Sequence, residues 1–330
     1  MCRYCLFYCV LLLFVAAAGC SFNAANPENE NTHFVPLNGD KPVERDPGLR
    51  ETVFYLPDKD WQVLVPVKLY IPWEEGIAKA VLRQATEEHF PPEAKAAGLA
   101  PLLPAGTRVL GMSIREGLAK VDFSREFSEY PPERERLLLT GIIYTLTEFP
   151  AIDRVEFLLE GEKADFPGQN FAGFPLGREL GLNHESPESA GDAAQKITLY
   201  FLYTAGEDCL YVPVSRAVPE TKDWLLTVAG ELFRGPRQKN VLSSAVPAGI
   251  RLKSAQAEGG KVVLHLEGET AAGGSETGAL RLQQQAALTF TEIEGITEVS
   301  LLVEGNPLSF SPEITLPAAF GRPKEWNVLN

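Results

Sequence analysis

Histidine is scarce in this chain of 330 residues: only His33, His89, His184 and His265 occur. A zinc site built on a histidine cluster would need nearly all of them. Cysteine is scarce too, with five in all, three of them (Cys2, Cys5 and Cys9) within the first ten residues. Basic blocks are missing, and the formal net charge is −14. Phosphate neutralisation dominates nucleic-acid affinity, so DNA and RNA are excluded as partners, and docking on anionic lipid by charge alone is disfavoured. Neither GxGxxG nor a P-loop pattern is present, so no nucleotide cofactor is expected, and no other cofactor either. What remains is an ordinary globular composition, 45% hydrophobic and 22% charged, long enough for about two domains.

The amino end carries one apolar run, Leu6 to Ala18, of 13 residues after Arg3. That is short of the roughly 20 a spanning helix needs and has the length of a signal-peptide core. Small residues lead into Gly19-Cys20, and the segment resembles a bacterial lipoprotein signal, with Ala17 where leucine is usual. The resemblance implies removal of residues 1–19 and lipid attachment at Cys20, placing the chain on the extracytoplasmic face of the membrane. The alternatives are an uncleaved anchor or an ordinary secretory signal. Once residues 1–19 are removed, only Cys20 and Cys209 remain, so no disulfide is expected, and Cys209 in the run CLYVPV reads as a buried, inert thiol. Residues 20–51, rich in Asn, Pro, Glu and Asp, read as a flexible tether.

Beyond the tether the chain is one unit written twice. PAGTRV at Pro104 recurs as PAGIRL at Pro247, and RVEFLLEG at Arg154 as EVSLLVEG at Glu298. YTLTEF at Tyr144 recurs as LTFTEI at Leu288, and Gly177-Arg178 with Asn183 as Gly321-Arg322 with Asn327, both shifted by 144. The copies span 52–183 and 196–327, joined by a polar linker at 184–195. Each reads as β-β-α-β-β-α-β. The first strand pair turns at PDKD, and Pro66 and Pro213 mark edges or bulges. A first helix is expected near 74–89, with Ile77, Val81 and Ala85 on one face, and near 221–234 in the second copy. Hairpins turn at Glu116-Gly117 and Glu258-Gly259-Gly260. The second helix presents Leu138, Ile142, Leu146 and Phe149, matched by Leu282, Ala286, Phe290 and Ile293, as a buried stripe. The fold class is α+β, with helices on a mostly antiparallel sheet and each copy able to hold its own core.

The order of YLP, LVPV, LPAG, AKVDFS, YTLTE and VEFLLEG resembles the GerM domain, found in tandem in sporulation and germination lipoproteins of endospore formers. The second copy departs where Val121-Asp122-Phe123-Ser124 is replaced by Leu264-His265-Leu266-Glu267. The resemblance implies a fold like the ring-building motifs of secretion systems. It implies a lipid-anchored, non-enzymatic assembly factor that helps localise a membrane complex around the forespore. It also implies protein partners in that complex and a link to cell-wall peptidoglycan. A peptidoglycan-binding module or weak peptidoglycan-processing enzyme is the alternative.

Candidate chemistry is thin. Asp122 and Ser124 are expected to cap or brace the loop before the second helix; a Ser-His-Asp site would have to recruit His89. His265 and Glu267 form H-x-E on a strand without further metal-ligand spacing, so no metal is expected. Trp61, Trp73, Trp224 and Trp326 serve the core or form a glycan-stacking face. Arg178 and Arg322 either tuck the tail of their own copy or offer a guanidinium fork to a carboxylate on a partner.

Overall fold

The computed structural model describes residues 48–166, 175–185, 194–205, 208–269, 275–311 and 313–329. The signal segment, Cys20 and all but the last residues of the tether lie outside these.

β1 (Leu49–Pro57) and β2 (Leu64–Pro72) pair antiparallel over nine positions, from Leu49↔Pro72 to Pro57↔Leu64. β1 thus begins three residues before the expected start of the repeat, because Leu49 to Glu51 still find partners on β2. Buried Asp58 makes the turn: its carboxylate accepts from the backbone N–H of Gln62 (2.6 Å), Val63 (2.8 Å) and Asp60 (3.1 Å). The first helix is shorter than expected. α1 covers Ile77–Gln84, and its C-terminal turn is closed by the Thr86 hydroxyl donating to Arg83 O (2.7 Å). A three-residue 3-10 turn at Glu87–His89 and the short α2 (Pro92–Ala96) follow, since Pro91 and Pro92 cannot continue a helix.

β3 (Val109–Arg115) and β4 (Leu118–Phe123) form the expected hairpin. From β4 the chain crosses through α3 (Glu135–Leu146) to β5 (Arg154–Leu159), which lies parallel to β4, and a tight turn brings back β6 (Glu162–Lys163). The sheet order is β3-β4-β5-β6, apart from the β1-β2 ribbon. Helix α3 packs against both β1 and β5. That is why Leu139 and Ile143 are as fully buried as Leu138, Ile142 and Leu146 on the expected stripe. Phe149, beyond the helix end, is half-buried.

The second copy repeats the plan. β7 (Ala194–Ala205) and β8 (Asp208–Pro219) form a longer ribbon, joined by β9 (Leu242–Ser243) at the β7 edge. α4 (Trp224–Arg234) precedes the hairpin of β10 (Ile250–Glu258) and β11 (Lys261–Gly268). α5 (Glu276–Phe290) crosses to β12 (Glu298–Val303), parallel to β11, and β13 (Asn306–Pro307) turns back on it. Ser275 caps α5, its hydroxyl accepting from Gly278 N.

Each copy was expected to hold its own core. Buried residues from Phe54 to Leu329 form one continuous hydrophobic cluster, so the cores of the two copies are joined, with a small satellite of Tyr200, Leu202, Tyr211 and Leu288. The copies meet where β2 approaches β8. In neither ribbon do the prolines break a ladder: Pro66 lies opposite Tyr55, and Pro213 opposite Tyr200, with their carbonyls turned away toward the other copy.

Across this seam the copies exchange their tails. Leu182 O accepts from Ser215 N of β8 (2.7 Å), and Glu185 N donates to Ser215 O (2.9 Å). Reciprocally, Asn327 O accepts from Lys68 N of β2 (2.8 Å), and Leu329 N donates to Lys68 O (3.0 Å). The tail of the first copy therefore lines the ribbon of the second, and the reverse. Glu185, expected in a polar linker, is buried.

Candidate functional site

The polar residues that recur in both copies gather at the C-terminal ends of α3 and α5. Thr145 and Thr289 are buried on the side facing the ribbon, and their hydroxyls accept from Tyr55 N and Tyr200 N, each at 3.0 Å. Helix thus covers the outer edge of β1 and of β7. The next threonine of each motif, Thr147 or Thr291, bonds back to the helix through Ile143 O (2.8 Å) or Ala287 O (2.7 Å). The glutamate then receives a phenol: Tyr55 OH donates to Glu148 and Tyr200 OH to Glu292, each at 2.8 Å.

Arg178 and Arg322 close these clusters. Arg178 donates to Thr147 Oγ1 (2.8 Å) and to Tyr144 O (3.3 Å), and forms an ion pair with Glu148. Arg322 donates to Thr291 Oγ1 (3.0 Å), Leu288 O (3.3 Å) and Tyr200 Oη (3.1 Å), and pairs with Glu292 at 2.9 Å. Both guanidinium groups also sit over aromatic rings, Arg178 over Tyr144 (5.0 Å) and Arg322 over Tyr200 (5.6 Å) and Trp326 (5.8 Å). Each arginine therefore tucks the tail of its own copy, the first of the two roles set out for it.

Electrostatics follow from this packing. Burial, reinforced by Glu148, raises the Tyr55 phenol well above its ordinary range, and burial with Glu292 does the same to Tyr200. Burial also pushes Tyr144 up to about 12. For Arg178 and Arg322 burial works to lower the pKa, but the neighbouring tyrosine and glutamate outweigh it and hold both cations more firmly. A site of firmly protonated phenols and paired ions binds its own chain.

The asparagines that accompany these arginines are the residues whose part sequence reasoning missed. Asn183 accepts from Leu64 N (2.7 Å) and donates to Leu64 O (2.7 Å) and Pro213 O (2.9 Å). Asn327 accepts from Tyr211 N (2.7 Å) and donates to Tyr211 O (2.7 Å) and Pro66 O (2.6 Å). Each carboxamide thus pins one strand of its own copy to the proline carbonyl of the other. Both asparagines adopt the left-handed backbone region, φ 47° and 52°, which Asn tolerates better than most residues. Their 144-residue recurrence was the available signal.

The remaining candidates disperse. Ser124, fully buried, braces the start of β3, its hydroxyl accepting from Arg108 N (3.0 Å), and it also braces the loop before α3 as expected, bonding the Glu126 carboxylate and accepting from Phe127 N at its carbonyl (3.0 Å). Asp122 braces the Glu160-Gly161 turn after β5, accepting from Gly161 N (2.9 Å). The sheet brings these partners to the end of β4 from 16 residues upstream of Ser124 and 39 residues downstream of Asp122, which a linear reading does not reach. His89 contacts Thr86 (3.3 Å). Glu267 pairs with Arg251 (3.2 Å) in the open. No group of three or more potential metal ligands occurs among the described residues. Trp61 lies beneath Arg134 (4.9 Å), Trp326 packs on Tyr200 (5.7 Å), and Trp224 is half-buried; only Trp73 of the four is broadly exposed. Cys209 is half-buried on β8, and burial raises its thiol pKa.

Fold and site together define a tandem α+β protein whose repeated polar residues fasten its two halves to each other. Comparison with known proteins agrees. The profile of the Germane family, described as sporulation and spore germination, matches residues 52–165 and again 198–309. The chain belongs to this family of GerM-domain proteins. It is 28% identical over 260 residues to the spore germination protein GerM of Bacillus subtilis (strain 168), an alignment covering 76% of this chain and 70% of that protein. Among solved structures it resembles the tandem GerMN domains of the sporulation protein GerM from Bacillus subtilis, with 26% identity and a TM-score of 0.67, over 86% of this chain and all of the other.

Proposed function

We propose that this protein is a lipid-anchored, non-enzymatic assembly factor of endospore formation and germination. Cys20 holds it on the extracytoplasmic face of the membrane, and the paired domains help localise a membrane complex around the forespore. Family membership supports the sporulation role. One observation carries the non-enzymatic reading: the polar residues repeated between the copies, from Tyr55 and Tyr200 to Asn183 and Asn327, bond within the chain. In an enzyme, the repeated polar groups would be expected to converge on a substrate cleft.

The test has two arms. Cys20→Ala should release the protein from the membrane fraction, and partner proteins of the sporulation membrane should lose their localisation; a variant that stays membrane-bound with an intact amino end points to an uncleaved anchor. Purified protein should leave glycan strands intact. Asp122→Asn, which keeps an acceptor for Gly161 N, should localise partners normally. Glycan cleavage by the unaltered protein that vanishes in Asp122→Asn at unchanged stability would establish the enzyme instead.

A further inference from the structure

The two exchanged tails make closely similar backbone contacts. Each has an asparagine in the left-handed region, a carbonyl accepting from the ribbon edge, and an N–H donating back to the same ribbon residue, Ser215 or Lys68. The main chains differ only in register: the accepting carbonyl is that of Leu182, just before Asn183, in the first tail and that of Asn327 itself in the second. With Pro66 aligned on Pro213, Lys68 matches Ser215 and Leu69 matches Arg216. Because their N–H groups bond Ser215 O and Lys68 O, Glu185 and Leu329 hold equivalent places.

The side chains at these matched places are opposite in kind. In the second ribbon Arg216 is fully buried. It pairs with Glu185 of the incoming tail, with Glu231 of α4 (2.9 Å), and with Gly235 O (3.0 Å), and it lies over the Phe201 ring (5.4 Å). Glu185 also accepts from Arg237 N (2.9 Å) and Gln238 N (3.1 Å). In the first ribbon the matched residues are Leu69 and Leu329, both buried within the apolar cluster. One socket is ionic and the other is greasy.

We infer that these two sockets form a pairing code that makes the first copy join only the second and forbids joining of like with like. The first tail laid on the first ribbon would carry the Glu185 carboxylate to Leu69, where no cation waits. The second tail laid on the second ribbon would leave Arg216 facing Leu329. Glu185 would lose Arg216, and Arg216 would lose Glu185 and be left with Glu231; a buried charge that loses a partner is costly, so both mismatches are disfavoured while the observed exchange is satisfied. The distinction matters because like-with-like pairing would use two self-complementary faces on every chain. Each chain would then link to a different neighbour at each end, and the product would be an open-ended fibre rather than a closed unit.

The test uses the full chain in detergent, unfolded in urea, refolded over a range of protein concentrations, and sized by light scattering with circular dichroism to confirm folding. Two variants erase the distinction in opposite ways. Glu185→Leu with Arg216→Leu makes both sockets apolar and leaves Glu231 its ion pair with Arg234; Leu69→Arg with Leu329→Glu makes both ionic. The unaltered chain should refold to one monomer peak. Either variant should instead give dimers and longer species that grow with concentration. Glu185→Gln keeps acceptors for Arg237 N and Gln238 N, removes only the charge, and remains readable if the double variants do not fold; it should show more oligomer than the unaltered chain. The inference is overturned if any folded double variant refolds to the same single monomer peak, if Glu185→Gln matches the unaltered chain, or if the unaltered chain itself yields the oligomer series.

Discussion

The two copies solve the same packing problems with different chemistry. In the first, α3 approaches β1 so closely that a Cβ on Gly141 would lie 3.0 Å from Tyr55 O and 2.7 Å from Leu102 Cδ1. At the matching place in the second copy stands Gln285, fully buried, donating to Tyr200 O (2.8 Å) and accepting from Ala245 N (2.7 Å). A missing side chain does in one copy what a hydrogen-bonded one does in the other. Likewise Asp122 braces the turn after β5, whereas His265 occupies its place in β11, and the matching Glu304-Gly305 turn keeps the same positive φ values, 51° and 83°. The carboxylate is therefore dispensable to that turn, which explains why the second copy can lose the Asp-x-Ser element. What does not vary is the Thr-x-Thr-Glu run at the helix ends, with the tyrosine and arginine that meet it, and the asparagine of each tail. The difference teaches that the repeat preserves the fastening of its halves and lets the interior diverge.

Making the copies alike should break them in proportion to what is buried. The largest effect is expected for Arg216→Leu, which gives the second ribbon the first ribbon's residue but strands the Glu185 carboxylate. Urea unfolding should show a loss of about 3–5 kcal/mol, and Glu185→Leu in the same chain should recover part of it. Next come the asparagines. Asn327→Ala removes three hydrogen bonds from a buried site and should cost about 2–4 kcal/mol; half-buried Asn183→Ala should cost somewhat less. Gly141→Ala forces apart α3 and the β1 ribbon and should lose about 1–3 kcal/mol, while an alanine at half-buried Gly230 meets nothing within 4 Å. The smallest effect is expected for Arg178→Ala and Arg322→Ala, whose side chains are 44% and 35% exposed. Solvent screening should hold each loss to about 1 kcal/mol or less, read as a small shift in the urea midpoint. A large loss at either arginine would show that the clasp, not the exchanged tails, holds the copies together.

Much of the fold was legible because the repeat doubled every signal. The stripe through Leu138, Ile142 and Leu146 recurs as Leu282, Ala286 and Phe290, and period and recurrence together fixed helix, strand order and class. The extra burial of Leu139 and Ile143 was not legible, since nothing local says that a helix will be gripped between a ribbon and a sheet. Pro66 and Pro213 correctly marked edges; what covers those edges lies 261 residues away in the case of Pro66 and Asn327. Arg178 and Arg322 were singled out by recurrence, and their place in the clasp was one of two roles foreseen. Glu185 and Arg216 were invisible for the opposite reason: they have no counterpart, and a lone glutamate in a polar stretch reads as surface.

The exchanged tails also impose an order in time. β2 is among the first parts of the folded region to leave the ribosome, yet its open edge is closed by Asn327 and Leu329, and the bond from Asn327 to Pro66 spans 261 residues. The ribbon made first must therefore wait, with Lys68 N–H and O and Pro66 O unanswered, until residues 327–329 have been made. A chain stalled or clipped just short of Asn327 would keep nearly all of its second sheet and lose the closure of its first ribbon. Damage near residue 327 is thereby reported at β2, giving quality control an exposed strand by which a chain lacking Asn327 can be told from one that has it.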